Sequence, residues 1–168
     1  PKPFGERGEV CISGPQVMKG YWKNKAATDD VLRAAPDGRI RLYTGDIGII
    51  DERGYTYIVD RIKDMIITNG YNVYPRNIEE KIYEHPSVEE CIVAGLPHTQ
   101  RGEIVKAWIK LKPGKILTDW ELTEFLQDKL SKMEMPKVIE FRKEPLPKTM
   151  IGKLSRKDIV AQELNKGE

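Results

Sequence analysis

The sequence predicts an α+β protein in two parts: a small β-rich subdomain over residues 1–60 and a small α+β domain over 65–168, joined by a hinge at 61–64. Three observations carry this. Residues 39–43, 46–50 and 55–60 are short runs of Ile, Tyr and other strand formers, bounded by Gly and Asp. Beyond Arg61 apolar runs alternate with stripes spaced three to four residues apart, the pattern of strands interleaved with helices. Between the two patterns lies Asp60-Arg61-Ile62-Lys63-Asp64, a charged run with few apolar anchors that reads as a solvated connection or as a hinge.

The elements follow in order. Glu9 to Gly14 reads as a strand stopped by the turn pair Gly14-Pro15, and residues 23–32 as a short helix closed by Pro36-Asp37-Gly38. Asp51 to Gly54 is a polar turn that makes a hairpin of the runs on either side. Pro75 suits the first position of a helix reaching about His85, because the N–H it lacks has no intrahelical partner there. Ile78 and Ile82 mark the inner face of that helix, and Glu79 and Glu80 lie near its positive end. Residues 88–95 and 103–111 are strands linked by a loop from Leu96 to Gly102. Thr118 and Glu121 have capping-box spacing ahead of the stripe Leu122, Phe125, Leu126 and Leu130. A strand at 137–142 and a helix capped by Ser155 complete the domain.

Composition narrows the function. With 39% hydrophobic and 32% charged residues the chain can bury a core, which argues against disorder. A formal net charge of +2 gives no large field for nucleic acid or an anionic membrane. No apolar run approaches the ~20 residues of a membrane span. Cys11 and Cys91 sit in apolar runs without disulfide or metal spacing, so both are expected to be buried thiols in a reducing cytoplasm. His85 and His98 have no companion ligands suited to zinc and are expected at the surface or in loops; no metal site is expected.

Three segments carry candidate chemistry. Asp46, after Tyr43-Thr44-Gly45, is either a turn aspartate capping its own backbone or a carboxylate able to accept two hydrogen bonds from a vicinal diol. Thr68-Asn69-Gly70-Tyr71-Asn72 is a hairpin turn, and its glycine also lets a ligand pass close to the backbone. Lys148 to Lys153 sets two lysines in one loop. It is no P-loop, since the spaced earlier glycine is missing, and its lysines read as solvated charges or as a cation aimed at charge developing on phosphate.

Taken in order, these segments resemble the adenylate-forming (AMP-binding) superfamily, and within it the C-terminal part of AMP-forming acyl-CoA synthetases. The matching pieces are Gly8-Glu9-Val10, Gly20-Tyr21-Trp22, Tyr43-Thr44-Gly45-Asp46, Gly54-Tyr55, Asp60 to Asp64, and Asn69-Gly70-Tyr71 with Pro75 and Ile78-Glu79. Gly102-Glu103, Leu111 to Gly114, and Pro147 to Lys153 complete a set that covers nearly the whole chain. The resemblance implies that Asp46 binds the ribose hydroxyls of Mg-bound ATP, with Arg61 assisting. It implies that Lys63 is the hinge residue and that Lys153 stabilises the α-phosphate and the attacking carboxylate. Gly70, Tyr71 and Asn72 would line the channel for the pantetheine of coenzyme A, and Glu79 is carried over only as a residue serving its helix N-terminus. The family's phosphate loop, adenine segment and acyl pocket lie upstream of the matched part. Residues 1–60 would then be the last β subdomain of a large N-terminal domain, with Pro1 a truncation point and the isolated chain inactive. An aryl-CoA ligase, another adenylate-forming enzyme and a stand-alone nucleotide- or CoA-binding module are the competing readings.

Overall fold

The computed structural model describes residues 2–167, which divide into two compact units between Lys63 and Asp64. In the first unit β3 (Ile40–Ile50) is the hub, pairing antiparallel with β1 (Gly8–Ile12), β2 (Leu32–Ala34) and β4 (Thr56–Arg61). The runs at 39–43 and 46–50, expected as separate strands, are therefore one strand. Between the pairs Glu9–Ile47 and Cys11–Tyr43, β3 carries more residues than β1, and Gly45 takes φ +71° within that bulge. A glycine that resembles a strand break in sequence is a bulge residue inside an unbroken strand. Asn24 caps α1 (Lys25–Val31) by accepting from the Ala27 N–H at 3.0 Å. The helix runs straight into β2, so the turn at Pro36 to Gly38 closes the β2–β3 hairpin instead of the helix. Cys11, expected to be buried, is exposed, because the end of β1 has nothing packed over it within this unit.

A 3₁₀ turn, Ile62–Asp64, leads into the second unit. Its sheet runs β6 (Tyr71–Val73), β5 (Ile66–Thr68), β8 (Gly102–Leu111), β7 (Val88–His98), with β9 (Val138–Arg142) parallel to β8. Side chains of β7 and β8 alternate between two apolar faces. Cys91, Val93, Val105, Ala107 and Ile109 pack with Ile78 and Ile82 of α2 (Pro75–Tyr83) and Leu122 and Leu126 of α3 (Asp119–Leu126). Ile92, Ala94 and Trp108 pack on the other face with Leu146 and with Ile159 of α4 (Arg156–Leu164). Cys91 is 1% exposed, as expected of a buried thiol, and His85 lies in the loop after α2, half-buried with its ring edge-on to Phe125 at 4.9 Å.

The loop expected at 96–102 is shorter, because β7 continues to His98 and β8 begins at Gly102. Pro97 does not interrupt it. The register alternates along β7, and Cys91 and Val93 turn their backbone groups away from β8. Pro97 belongs to the same outward set, so its missing N–H removes no ladder bond.

That outward edge of β7 is sealed from α2. The Tyr83 hydroxyl accepts from the Cys91 N–H at 2.9 Å, and Glu79, one turn earlier, accepts from the Val93 N–H at 2.8 Å. An edge strand left open is a template for pairing with another chain, and this one is closed by two side chains of the neighbouring helix. Glu79 therefore serves β7, not the start of its own helix.

Candidate functional site

The polar apparatus of the first unit gathers at the end of β4. Asp46 and Arg61 are direct partners in the β3–β4 register, and Arg61 Nε donates to Asp46 Oδ1 at 3.1 Å. The bulge at Gly45 turns Asp46 to that position: Thr44 Oγ1 accepts from the Asp46 N–H at 3.0 Å and donates to the Val10 carbonyl at 2.9 Å. Asp46 is thus not a turn aspartate capping its own backbone. Asp60, 4% exposed, accepts the Arg61 N–H at 2.7 Å and holds the backbone from the other side. A cavity of ≈ 480 Å³ opens here, lined by Glu9, Arg33, Tyr43, Gly45, Arg61 and Lys63 among others. The Arg33 guanidinium lies 3.8 Å over the Tyr43 ring, and Glu9 accepts the Gly45 N–H at 3.2 Å. Sequence reasoning missed Glu9 and Arg33 in this role. The only available signal was position: both lie on strands that flank β3.

Lys63 is exposed in the 3₁₀ turn between the units. Beyond it, Asn69 (φ +50°) and Gly70 (φ +79°) form the two-residue turn of the β5–β6 hairpin, with Tyr71 and Asn72 exposed at the start of β6. Both positive φ values are those of a hairpin turn matched to strand twist. A Cβ on Gly70 would meet nothing within 4 Å, so the glycine answers to backbone conformation alone within this unit. The Asn69 N–H donates to the Arg101 carbonyl at 2.9 Å, which fixes the turn beside the β7–β8 connection.

Lys153 belongs to a different end of the same sheet. Its loop is a narrow hairpin closed by the bridge Lys148–Leu154, with Thr149 N–H donating to the Lys153 carbonyl at 2.7 Å and Gly152 N–H to the Thr149 carbonyl at 2.8 Å. Met150, Ile151 and Lys153 are exposed at and beside its tip. Lys148 is tied to Glu90 at 2.5 Å, and the same carboxylate accepts the Leu146 N–H at 2.9 Å. Burial works to raise the Glu90 pKa, and these bonds outweigh it and lower it. Glu90 pairs with Lys110 at one end of the β7–β8 ladder, and His98 pairs with Gly102 at the other, beside the Gly70 turn. Eight residues of strand separate those anchors, roughly 26 Å. The structure thus brings Asp46 and Arg61 together and keeps the Gly70 turn and the base of the Lys153 loop apart.

Comparison with known proteins matches this architecture. Residues 77–153 match the family model of the AMP-binding enzyme C-terminal domain. The chain is 49% identical over 158 residues to a long-chain-fatty-acid–CoA ligase of Bacillus subtilis (strain 168), covering 94% of this chain and 27% of that protein. It is 42% identical over 159 residues to a feruloyl-CoA synthase of Amycolatopsis, covering 95% of this chain and 31% of that protein. The crystal structure of ATP-bound MatB from Rhodopseudomonas palustris superposes with a TM-score of 0.87 at 36% identity, over 99% of this chain and 32% of that one. The chain spans less than a third of the length of each.

Proposed function

We propose that this chain, whose residues 77–153 match the family model of the AMP-binding enzyme C-terminal domain, is the C-terminal part of an ATP-dependent acyl-CoA synthetase. The reaction converts a carboxylic acid and ATP to an acyl-adenylate and pyrophosphate, and then the adenylate and coenzyme A to acyl-CoA and AMP. A fatty acid is the substrate class, in keeping with the name of the Bacillus subtilis relative. The feruloyl-CoA synthase likeness supports an aryl acid as the second reading. The observation that carries the proposal is the placement of the Gly70 turn and the Lys153 loop at opposite ends of one sheet. A two-step reaction whose steps need different groups at the acyl carbon can present one end and then the other by turning the unit about residues 61–64.

In the first step two anions, the acid carboxylate and the α-phosphate, must approach. Lys153, carried on a stiff hairpin, supplies the cation where their charge concentrates. Asp46 accepts the ribose hydroxyls, with Arg61 holding its carboxylate in orientation, and magnesium enters as the counter-ion of the ATP phosphates. In the second step the turn formed by Gly70, Tyr71 and Asn72 lines the path of the pantetheine thiol. The chain works with a preceding domain that supplies the rest of the ATP site and the acid pocket. A reducing cytoplasm suits its two unpaired cysteines.

The test is a synthetase assembled from the preceding region of a long-chain relative joined to this chain. Acid- and CoA-dependent AMP formation is expected from the whole, and none from the 168 residues alone. Lys153→Ala is expected to slow adenylate formation by about 100- to 1,000-fold while thioester formation from supplied acyl-adenylate persists. AMP formation by the isolated chain, or equal loss of both steps in the variant, refutes the assignment.

A further inference from the structure

The residues flanking Lys63 are anchored on both sides, and the second anchor reaches the helix that follows Lys153. On the near side Arg61 is fixed by the Asp46 carboxylate at 3.1 Å and by its N–H to Asp60 at 2.7 Å. On the far side Asp64 accepts from Arg156 Nη1 at 3.3 Å. Arg156 is the first residue of α4, three positions after Lys153. Two further donors reach β7 and α2: Nε bonds the Val93 carbonyl at 3.0 Å, and Nη2 bonds Glu79 of α2 at 2.5 Å. Glu79 in turn holds the Val93 N–H, so Arg156, Glu79 and Val93 form a closed ring of hydrogen bonds on the outward edge of β7, at a residue whose side chain is in the core. The guanidinium is 25% exposed and the Glu79 and Asp64 carboxylates 15% and 22%, so the cluster is shielded well enough for its charges to matter. Its planar fork is what permits three acceptors at fixed angles, which a lysine cannot reproduce.

The geometry points to Arg156 as a positioning residue that clamps the far end of the hinge to the base of the Lys153 loop. Rotation of the segment is confined to Ile62 and Lys63, and it carries the Lys153 hairpin as part of one rigid unit. This rests on the reading of Lys153 and Lys63 above, but its mechanical part does not depend on any ligase activity.

The experiment is ¹⁵N relaxation on the 168-residue chain, with Asp64→Asn and Arg156→Lys as the variants and thermal melting to confirm that each remains folded. In the parent chain low order parameters are expected at Ile62 and Lys63 and not at Asp64 or Met65. In both variants the mobile stretch is expected to extend to Met65, and in Arg156→Lys the order of Gly152 and Lys153 falls with it. A parent profile already mobile through Met65, or variants that leave the profile unchanged, overturns the clamp. Should Arg156→Lys unfold, Asp64→Asn alone decides, since it leaves the bonds to Val93 and Glu79 in place. In the joined synthetase Asp64→Asn is then expected to slow adenylate formation about 10-fold without a matching change in KM for ATP, as a misplaced lysine would. Lys153→Ala is measured beside it. If that variant adenylates normally, the functional reading falls while the relaxation result stands on its own.

Discussion

The two units solve the burial problem differently. Among the described residues, 20 of the 22 buried hydrophobic side chains lie in the second unit, and the first contributes only Ala35 and Ile47. The second sheet is covered on both faces, by α2 and α3 on one and α4 on the other. The first unit leaves Ile40, Ile50, Tyr57 and Ile58 exposed along its two longest strands. A sheet gains stability from the faces it buries, so the second unit carries its own core and the first does not. An element order alone says nothing of this.

The largest effect should come from separating them. Residues 64–168 expressed alone are expected to give a dispersed NMR spectrum and one cooperative melting transition, and residues 1–63 alone to give neither. A cooperative transition from 1–63 would show that the first unit has a sufficient core of its own.

Point substitutions should differ in cost between the two units. Trp108 is fully buried between α4 and the sheet, so Trp108→Ala should destabilise the second unit by about 3–5 kcal/mol in urea titration. Ile47→Ala, in a unit with little core to disturb, should cost about 1 kcal/mol by the same measurement.

Acid should act on the second unit. Lys106, 5% exposed, bonds Glu163 at 2.5 Å and Glu140 at 2.7 Å, and Arg142 adds a bond to Glu140 at 2.8 Å, joining α4 to β8 and β9. Burial works to raise the Glu140 pKa, but the bonds to Lys106, Arg142 and Lys166 outweigh it and lower it from 4.5 to about 2. Glu163 is lowered by the same balance. A carboxyl depressed in the folded state stabilises it above the unfolded pKa, and that contribution fades as pH falls through the folded one. The unit should therefore lose about 3 kcal/mol between pH 4.5 and 2, measured by urea midpoints. Lys106→Met should reduce that slope. An unchanged slope would show that the cluster adds no stability.

The smallest effects are local. Gly45 and Gly70 both have positive φ and open space where a Cβ would stand, so either changed to Ala costs about 1 kcal/mol of backbone strain. In hydrogen exchange the Gly70→Ala effect should stay within the β5–β6 hairpin, while Gly45→Ala should loosen Asp46 and Arg61 together. Equal, confined responses would remove the distinction between a turn glycine and a bulge glycine beside a paired site.

Where the determinant was local, the sequence settled the matter by itself. Pro75, the capping box of Thr118 and Glu121, Ser155 before α4 and the Asn69-Gly70 turn each act through neighbours within a few residues, and each formed where its spacing required. The burial of Ile78, Ile82, Leu122 and Leu126 followed from helical period alone. Tertiary structure decided whatever needed a distant partner. It made one strand of the segments on either side of Gly45, because pairing with β1 tolerates a bulge that a linear reading takes for a break. It carried β7 through Pro97, because only the sheet order shows which N–H groups face outward. It turned Glu79 from its own helix to the β7 edge and gave Arg156 three acceptors drawn from segments 63 to 92 residues away. Hydrogen bonds and apolar faces across such separations leave no period in the sequence, since their geometry exists only once the sheet has been assembled.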